Sequence, residues 1–497
     1  MIISRRRWIH LAFCSSLLVI TSGVARAPSS KVESLPVDPL IQEFEAAVKH
    51  LIDNPNFKKA RIGISVVEVE SGKKWASFQE RVLLNPASNA KLYTTAASLS
   101  LLLPEYRYET SFGGGLKGGI IEGPLLFRGN GDPSLTTQDV WAMVQELKGL
   151  GVKQITGDVL LDQSAYDEET VPPAFEQQPN EWAAFRAPIS ALALNRNTIA
   201  IKICPTAISQ PAVVSIDPPG LMAPTGLITV RGQVMTTGRG KNTISLSLMG
   251  EGGRLTIGIS GVIPMGSSPV RYVRRVEDPT LLAGYVLLHE LRKANIAIKG
   301  GVKIGRINDV PILVRHQSAP LSQLLYAVGK DSDNFYAEMI FKTLGGGKKR
   351  HPARSADGSE VVVQWAEKIG AYEQNMILKN GSGLFDANRV SAASLVQILC
   401  TAWRDPKIHA EFIAQLSIAG VDGTLRQRLR ELPFQRMIRA KTGSLHDVVA
   451  LSGYVLSPNK KGPVAFSILF NQVEGKIEQA RDAADQLVRA IAKRHWR

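Results

Sequence analysis

Three cysteines in 497 residues are too few for a disulfide framework. Cys14 falls in an N-terminal leader and follows bulky Phe13, where a lipoprotein signal wants a small residue. Cys204 and Cys400 each follow an apolar run and are expected as free, buried thiols. Histidine is scarce too: there are eight, with no metal-ligand spacing such as H-E-x-x-H, so neither a metal nor a cofactor is expected. No G-x-S-x-G string occurs, which argues against an α/β-hydrolase. Past the leader no run is long and apolar enough to span a bilayer. Acidic residues are in deficit, 44 against 59 Lys and Arg, for a net charge of +15. Such a chain is drawn to anionic surfaces, with cell-wall polymers and lipid head groups the candidate partners. Nucleic acid is not an expected partner of an exported protein.

Export is read from residues 1–27, a signal peptide. Arg5-Arg6-Arg7 forms a basic n-region, Trp8 to Ile20 is mostly apolar, and Ala25-Arg26-Ala27 is an A-x-A-like processing site. Ser4-Arg5-Arg6-Arg7-Trp8-Ile9 also resembles a twin-arginine signal, so the export route stays open. The alternative is an uncleaved membrane anchor. Cleavage removes four arginines and no acid, which leaves a basic chain in the periplasm or outside the cell.

The length calls for two or three domains. Residues 61–84 read as two strands about a turn, and a helix begins near Ser88. From 105 to 275 short β-like runs alternate with Gly- and Pro-rich turns, interrupted by one helix near Thr137 to Leu150. Helical patterning resumes near Asp278 and continues through the 320s and 330s, then near 359–370, 391–404 and 420–431. Val448 to Val455 and Val464 to Phe470 read as strands. The last helix is amphipathic, with Ile477, Ala480, Ala484, Leu487, Val488 and Ile491 on one face. Its basic end allows peripheral membrane contact; the plainer reading is a core helix whose cations suit its dipole. The expected organisation is therefore a discontinuous catalytic domain, 28–104 and 276–497, split by a strand-rich insertion, 105–275.

Three strings sit in the outer segments: Ser88-Asn89-Ala90-Lys91, Ser332-Asp333-Asn334 and Lys441-Thr442-Gly443. A serine hydroxyl is a poor nucleophile until a base takes its proton. Lys91 stands one helical turn after Ser88 and brings an amine to that hydroxyl. To be neutral near pH 7 it needs a pKa lowered by roughly three units from about 10.4, which burial and a second cation, Lys441, would supply. Ser332 offers a second hydroxyl to relay a proton, and Asn334 an amide to hold a substrate carbonyl. Lys441 and Thr442 offer charge and a hydrogen bond to a carboxylate, and Gly443 lets a ligand approach the strand. Each string has a plain structural alternative: an early-helix serine, a loop S-x-N, a polar edge strand. Similar strings occur in other settings. Ser71-Gly72-Lys73-Lys74 falls in a turn, Ser457-Pro458-Asn459 in a loop, and Gly113-x-Gly115-x-x-Gly118 precedes a strand rather than the helix a dinucleotide site needs.

In this order the three strings resemble the serine D-alanyl-D-alanine carboxypeptidase/endopeptidase family, the low-molecular-mass class C penicillin-binding proteins. Further strings are similar: Gly129-Asn130-Gly131-Asp132-Pro133-Ser134-Leu135, Ala187-Pro188-Ile189-Ser190-Ala191-Leu192, Asn380-Gly381-Ser382-Gly383-Leu384, Asn388-Arg389-Val390-Ser391 and Ala419-Gly420-Val421-Asp422-Gly423-Thr424-Leu425. The resemblance implies an α+β fold, a penicillin-binding/β-lactamase-like transpeptidase domain (antiparallel sheet flanked by helices) with a large strand-rich insertion. It implies a Ser88 acyl-enzyme formed from peptidoglycan stem peptides or cross-bridges, with Lys91 as base, Ser332 and Lys441 in proton return, and Asn334 steering the substrate. The N–H groups of Ser88 and Ser444 would form the oxyanion hole; Thr442 and Ser444 would hold the carboxylate. β-Lactams would acylate the same serine. Some members carry an aspartate for the stem peptide's diamino acid where this chain reads Asn180-Glu181-Trp182, so Asn180 and Glu181 are the substitutes. Asp132 is expected to support a turn. A β-lactamase or DD-esterase with the same serine is the neighbouring alternative, and a non-catalytic wall-binding protein the alternative of another class.

Overall fold

The computed structural model describes residues 39–222, 226–347, 352–431, 433–459 and 462–496. The expected signal peptide lies outside the described residues. The outer segments build a six-stranded antiparallel sheet, in the order Lys74–Phe78, Arg61–Glu68, Val464–Asn471, Val448–Val455, Ile438–Ser444, Ser417–Ile418. Val448–Val455 and Val464–Asn471 are buried along their whole length, because helices cover both faces of the sheet. Their near-continuous apolar sequences follow from that double cover. Pro39–Ile52 and Ile477–His495 pack on one face. Lys91–Leu102, Leu321–Gly329, Asn334–Gly345, Ser355–Lys368 and Ala392–Arg404 pack on the other. In the last helix Ala480, Ala484, Leu487, Val488 and Ile491 are buried in the core, so that face is not available to a bilayer. Among the described residues no helix is long and apolar enough to cross a membrane.

The middle of the chain has its own core. Its main sheet has seven strands, among them the hairpin Glu109–Lys117 and Ile120–Arg128. The hairpin carries Gly113 to Gly118 on strand and turn, not at a helix start. The helix Thr137–Gly149 opens on a reciprocal cap between Thr136 and Asp139, as the periodicity predicts. The change of pattern at 278 is not the end of this body. The helix Pro279–Lys293 packs in its core, and the strands Ala297–Ile298, Val302–Ile304 and Ile312–Gln317 complete its sheet. Asp278 caps that helix by accepting from the N–H groups of Thr280 and Leu281, so residue 278 marks a switch from strand to helix within one packed unit.

Helical patterning over 420–431 does not produce a helix. The segment is a short 3-10 turn, Gly423–Leu425, among loops. Gly420 and Gly423 adopt left-handed backbone, with φ of 67° and 55°, as does Leu429 at 51°. Asp422 is drawn aside by Lys330, 2.6 Å away, and by the N–H of Ile418 at 2.8 Å. These tertiary bonds outweigh the local periodicity. Cys204 and Cys400 are both free; Cys400 is buried and Cys204 half-buried.

Candidate active site

Ser88 lies in a 3-10 turn, Ala87–Ala90, that runs into the helix Lys91–Leu102. The turn has no side-chain cap and is held by its neighbours instead. Ala87 sits at φ 45°, in the left-handed region. Two glycines let other segments close on it: a Cβ on Gly383 would lie 1.9 Å from the Ala87 carbonyl oxygen, and one on Gly443 would lie 2.9 Å from that of Pro86. Glycine in the late strand thus serves packing against the Ser88 turn.

The turn puts Lys91 Nζ 3.1 Å from Ser88 Oγ. The same nitrogen donates to Asn334 Oδ1 at 2.8 Å and to the Ser382 carbonyl at 2.7 Å. A neutral amine has two hydrogens and one lone pair. With both hydrogens committed to Asn334 and Ser382, the lone pair is left to accept from the Ser88 hydroxyl. Lys91 is 1% exposed, and burial lowers its pKa to about 7 against the opposing pull of Glu338 and Asp333. Lys441, also 1% exposed, donates to Ser332 Oγ at 2.8 Å and to the Thr442 carbonyl at 2.9 Å. Burial first, and the Lys91 charge second, push Lys441 well below the usual lysine range. Asn89, with its amide turned to satisfy both ends, donates to the Lys441 carbonyl at 2.9 Å and ties this strand to the Ser88 turn.

Ser332 stands at φ 58°, just before the helix Asn334–Gly345, which Asp333 caps through the Tyr336 N–H. A left-handed serine between two helices aims its hydroxyl at Lys441. The middle body reaches this corner twice. Asn334 Nδ2 donates to the Phe185 carbonyl at 3.2 Å, and Arg196 Nε lies 3.3 Å from Asp333. Ser88, Ser332, Thr442 and Ser444 line one open cleft of about 1080 Å³, with Thr424 and the 427–431 loop beyond. Thr442 Oγ1 donates to Thr424 Oγ1 at 2.8 Å.

Asn180 and Glu181 do not line this cleft. Asn180 is exposed. The Glu181 carboxylate accepts from Ala183 N at 2.7 Å, and its carbonyl accepts from Arg275 at 2.9 Å. Asp132 supports a turn by accepting from the N–H and hydroxyl of Ser134. Among the described residues no cluster of three His, Cys, Asp or Glu is placed to hold a metal ion.

Reasoning from the motifs missed Glu338. It is fully buried one helical turn past Asn334, and its carboxylate accepts from Ser382 N at 2.8 Å and Gly381 N at 3.2 Å. Burial raises its pKa. It holds the N–H of the residue whose carbonyl meets Lys91, and Thr94 braces the same loop through the Gly381 carbonyl at 2.8 Å. The signal was present as an acid at position i+4 from Asn334, between the apolar residues Ala337 and Met339.

Residues 44–494 match the D-Ala-D-Ala carboxypeptidase 3 (S13) family. The chain belongs to that family. Its activity is that of a serine-type D-alanyl-D-alanine carboxypeptidase. It is 30% identical to the D-alanyl-D-alanine carboxypeptidase of Actinomadura sp. strain R39, over 88% of this chain and 82% of that protein. It is 26% identical to the D-alanyl-D-alanine carboxypeptidase DacB of Haemophilus influenzae, over 83% of this chain and 85% of that one. The crystal structure of penicillin binding protein 4 (dacB) from the same organism superposes with a TM-score of 0.76 at 25% identity, covering 91% of this chain and 98% of that one. These likenesses span both the sheet-and-helix body and the middle body, so the α+β fold with its large insertion is that of this class of penicillin-binding protein.

Two substitutions separate packing from chemistry in this peptidase. Ser332→Gly should unfold at higher urea than Ser332→Ala, by about 1 kcal/mol, because alanine keeps the Cβ that disfavours φ 58°. Equal stability of the two would show that the left-handed turn is not under strain. Glu338→Gln should lower unfolding stability by about 1–3 kcal/mol, since one carboxamide oxygen cannot accept both N–H groups as the carboxylate does. Urea unfolding of each variant against the wild type measures both effects.

Proposed function

We propose that this peptidase works through an acyl-enzyme on Ser88. The distance that carries the reading is the 3.1 Å between Lys91 Nζ and Ser88 Oγ, in a setting where both hydrogens of the neutral amine are already taken. Ser88 Oγ attacks the carbonyl carbon of a D-Ala-D-Ala bond and Lys91 takes its proton. The oxygen gathers negative charge between the N–H groups of Ser88 and Ser444, a contribution of several kcal/mol in hydrolases of this kind. The C–N bond then breaks. The proton now on Lys91 passes through the Ser332 hydroxyl, which Lys441 holds, to the departing amine, so that D-alanine leaves, Ser332 keeps its hydrogen and Lys91 is neutral again. Water attacks the ester, with Lys91 again as base, and frees Ser88.

Asn334 has two tasks that its amide can divide. Its oxygen holds Lys91, and its nitrogen, now on the Phe185 carbonyl, turns to a substrate carbonyl. The hydroxyls of Thr442 and Ser444 seat the terminal carboxylate. Asn180 and Glu181 stand outside the reacting centre; their segment meets the site through Phe185. Stem peptides and cross-bridges of peptidoglycan are the substrates, and β-lactams acylate Ser88 in their place. The signal-like residues 1–27 and the basic charge of the rest suit a periplasmic or secreted enzyme on an anionic wall.

Fluorescent penicillin should label Ser88, as peptide mapping of the adduct would read. Ser88→Ala should abolish both the label and D-alanine release. A label on another serine, or D-alanine release that survives the substitution, overturns the reading. Fast loss of the label would instead favour the β-lactamase alternative. Lys91→Ala should slow acylation about 10²–10⁴-fold. Since Lys91 acts when unprotonated and its pKa is about 7, the acylation rate constant should rise with pH through about 7 and level off above it. Stopped-flow acylation by a chromogenic cephalosporin, from pH 5 to 9, measures this; a rate flat across about pH 7 would rule out Lys91 as the base.

A further inference from the structure

A carboxylate seated on Thr442 and Ser444 brings a negative charge into the cleft. Lys441 stands beside this seat, but it is 1% exposed, bonded to Ser332 and Thr442, and held by burial well below the usual lysine range. Hydroxyl groups orient a carboxylate without neutralising it. A permanent cation faces the same seat from the opposite wall. Arg481, near the start of Ile477–His495, lines the cleft with Ser88, Ser332, Thr442 and Ser444. Its Nη2 donates to Ser444 Oγ at 3.1 Å.

Arg481 is also loosely held where it stands. Its side chain is 34% exposed, and its ion-pair partner, Glu478, is 76% exposed. A surface pair of that kind contributes little and yields to a stronger partner. By contrast, Arg428 is bound through both Nε and Nη2 to Asp485, of which the side chain is 10% exposed. A guanidinium stays charged at every working pH and presents parallel N–H groups that match a carboxylate.

We propose that Arg481 is a specificity residue of this enzyme, whose guanidinium binds the free α-carboxylate of the leaving D-amino acid beside the Ser444 hydroxyl. The proposal rests on the reading of Ser88 as nucleophile and of Thr442 and Ser444 as the carboxylate seat. On binding, the Ser444 hydroxyl turns its hydrogen to one carboxylate oxygen. Arg481 moves its Nη2 hydrogen from Ser444 to the other. Arg481 takes no part in proton transfer, so its contribution follows the charge of the ligand rather than the chemistry at Ser88.

The test compares a benzoyl-D-alanyl thioglycolate with its methyl ester. The activated thioester keeps both measurable, and the two differ in the carboxylate alone. Wild type, Arg481→Gln and Arg481→Lys are assayed for kcat/KM on each, with thermal unfolding as a check on folding. Arg481→Gln should reduce the acid-to-ester preference about 10- to 100-fold, chiefly through KM, and Arg481→Lys should restore part of it. A fall of both substrates together would mean that Arg481 only shapes the site, and it would overturn the proposal. An unchanged preference would overturn it as well. If Arg481→Gln does not fold, the Arg481→Lys preference decides: a value equal to wild type for both substrates counts against a forked carboxylate contact. Turnover by wild type that persists in Ser88→Ala would instead sink the underlying reading, and this proposal with it.

Discussion

Everything at this site depends on where the hydrogens of one amine go. Lys91 Nζ meets three oxygens from three parts of the chain: Ser88, Asn334 and Ser382. Two of them fix its hydrogens, which leaves the lone pair for the third. Burial supplies the other half, because an amine that is 1% exposed cannot keep its proton as firmly as one in water. In the proposed mechanism this lysine takes the part that histidine takes in other serine hydrolases. The opposing influence is Glu338, whose buried carboxylate favours the protonated form while it fixes the Ser382 peptide. The pKa of about 7 is the balance of burial against the charges of Glu338 and Asp333.

Such a junction needs backbones to approach closely, and small residues make this possible. Gly383 and Gly443 close on the Pro86–Ala87 carbonyls from two sides, and Asn89 bonds across to the Lys441 strand. The sheet gives these segments a rigid base, since Ile438–Ser444 is paired with the fully buried Val448–Val455. The middle body adds Phe185 and Arg196 at the Ser332–Asn334 corner. It is therefore more than a passenger on the catalytic body, although its own core lies apart.

Much of this was legible before any coordinates. The helix start at Ser88, the strands at 448 and 464, and the amphipathic last helix were all readable as periodicity, because each buries a face that local sequence must supply. Asn180 and Glu181 were placed by likeness to a motif; Asn180 is exposed, and Glu181 accepts from Ala183 and Arg275, contacts that no periodicity foretells. The 420–431 loop misled for a different reason: its apolar spacing is helical, while two left-handed glycines and the Lys330–Asp422 pair set its path. The middle body was expected to end at 275, yet its core and sheet run on to 317, because a switch from strand to helix looks the same whether or not packing continues across it.

The sequence by itself determined the chemical kit: a serine and a lysine one turn apart, a second serine and an asparagine, a lysine on a late strand, and no metal-binding pattern. It fixed these because helical spacing is local and residue types are given. Tertiary structure alone decided which oxygens the Lys91 hydrogens take, that Glu338 stands behind Ser382, and that Arg481 from the final helix faces Ser444. Those contacts join residues tens to hundreds of positions apart, and no local period encodes them. They exist only once the sheet and its two helical layers have packed.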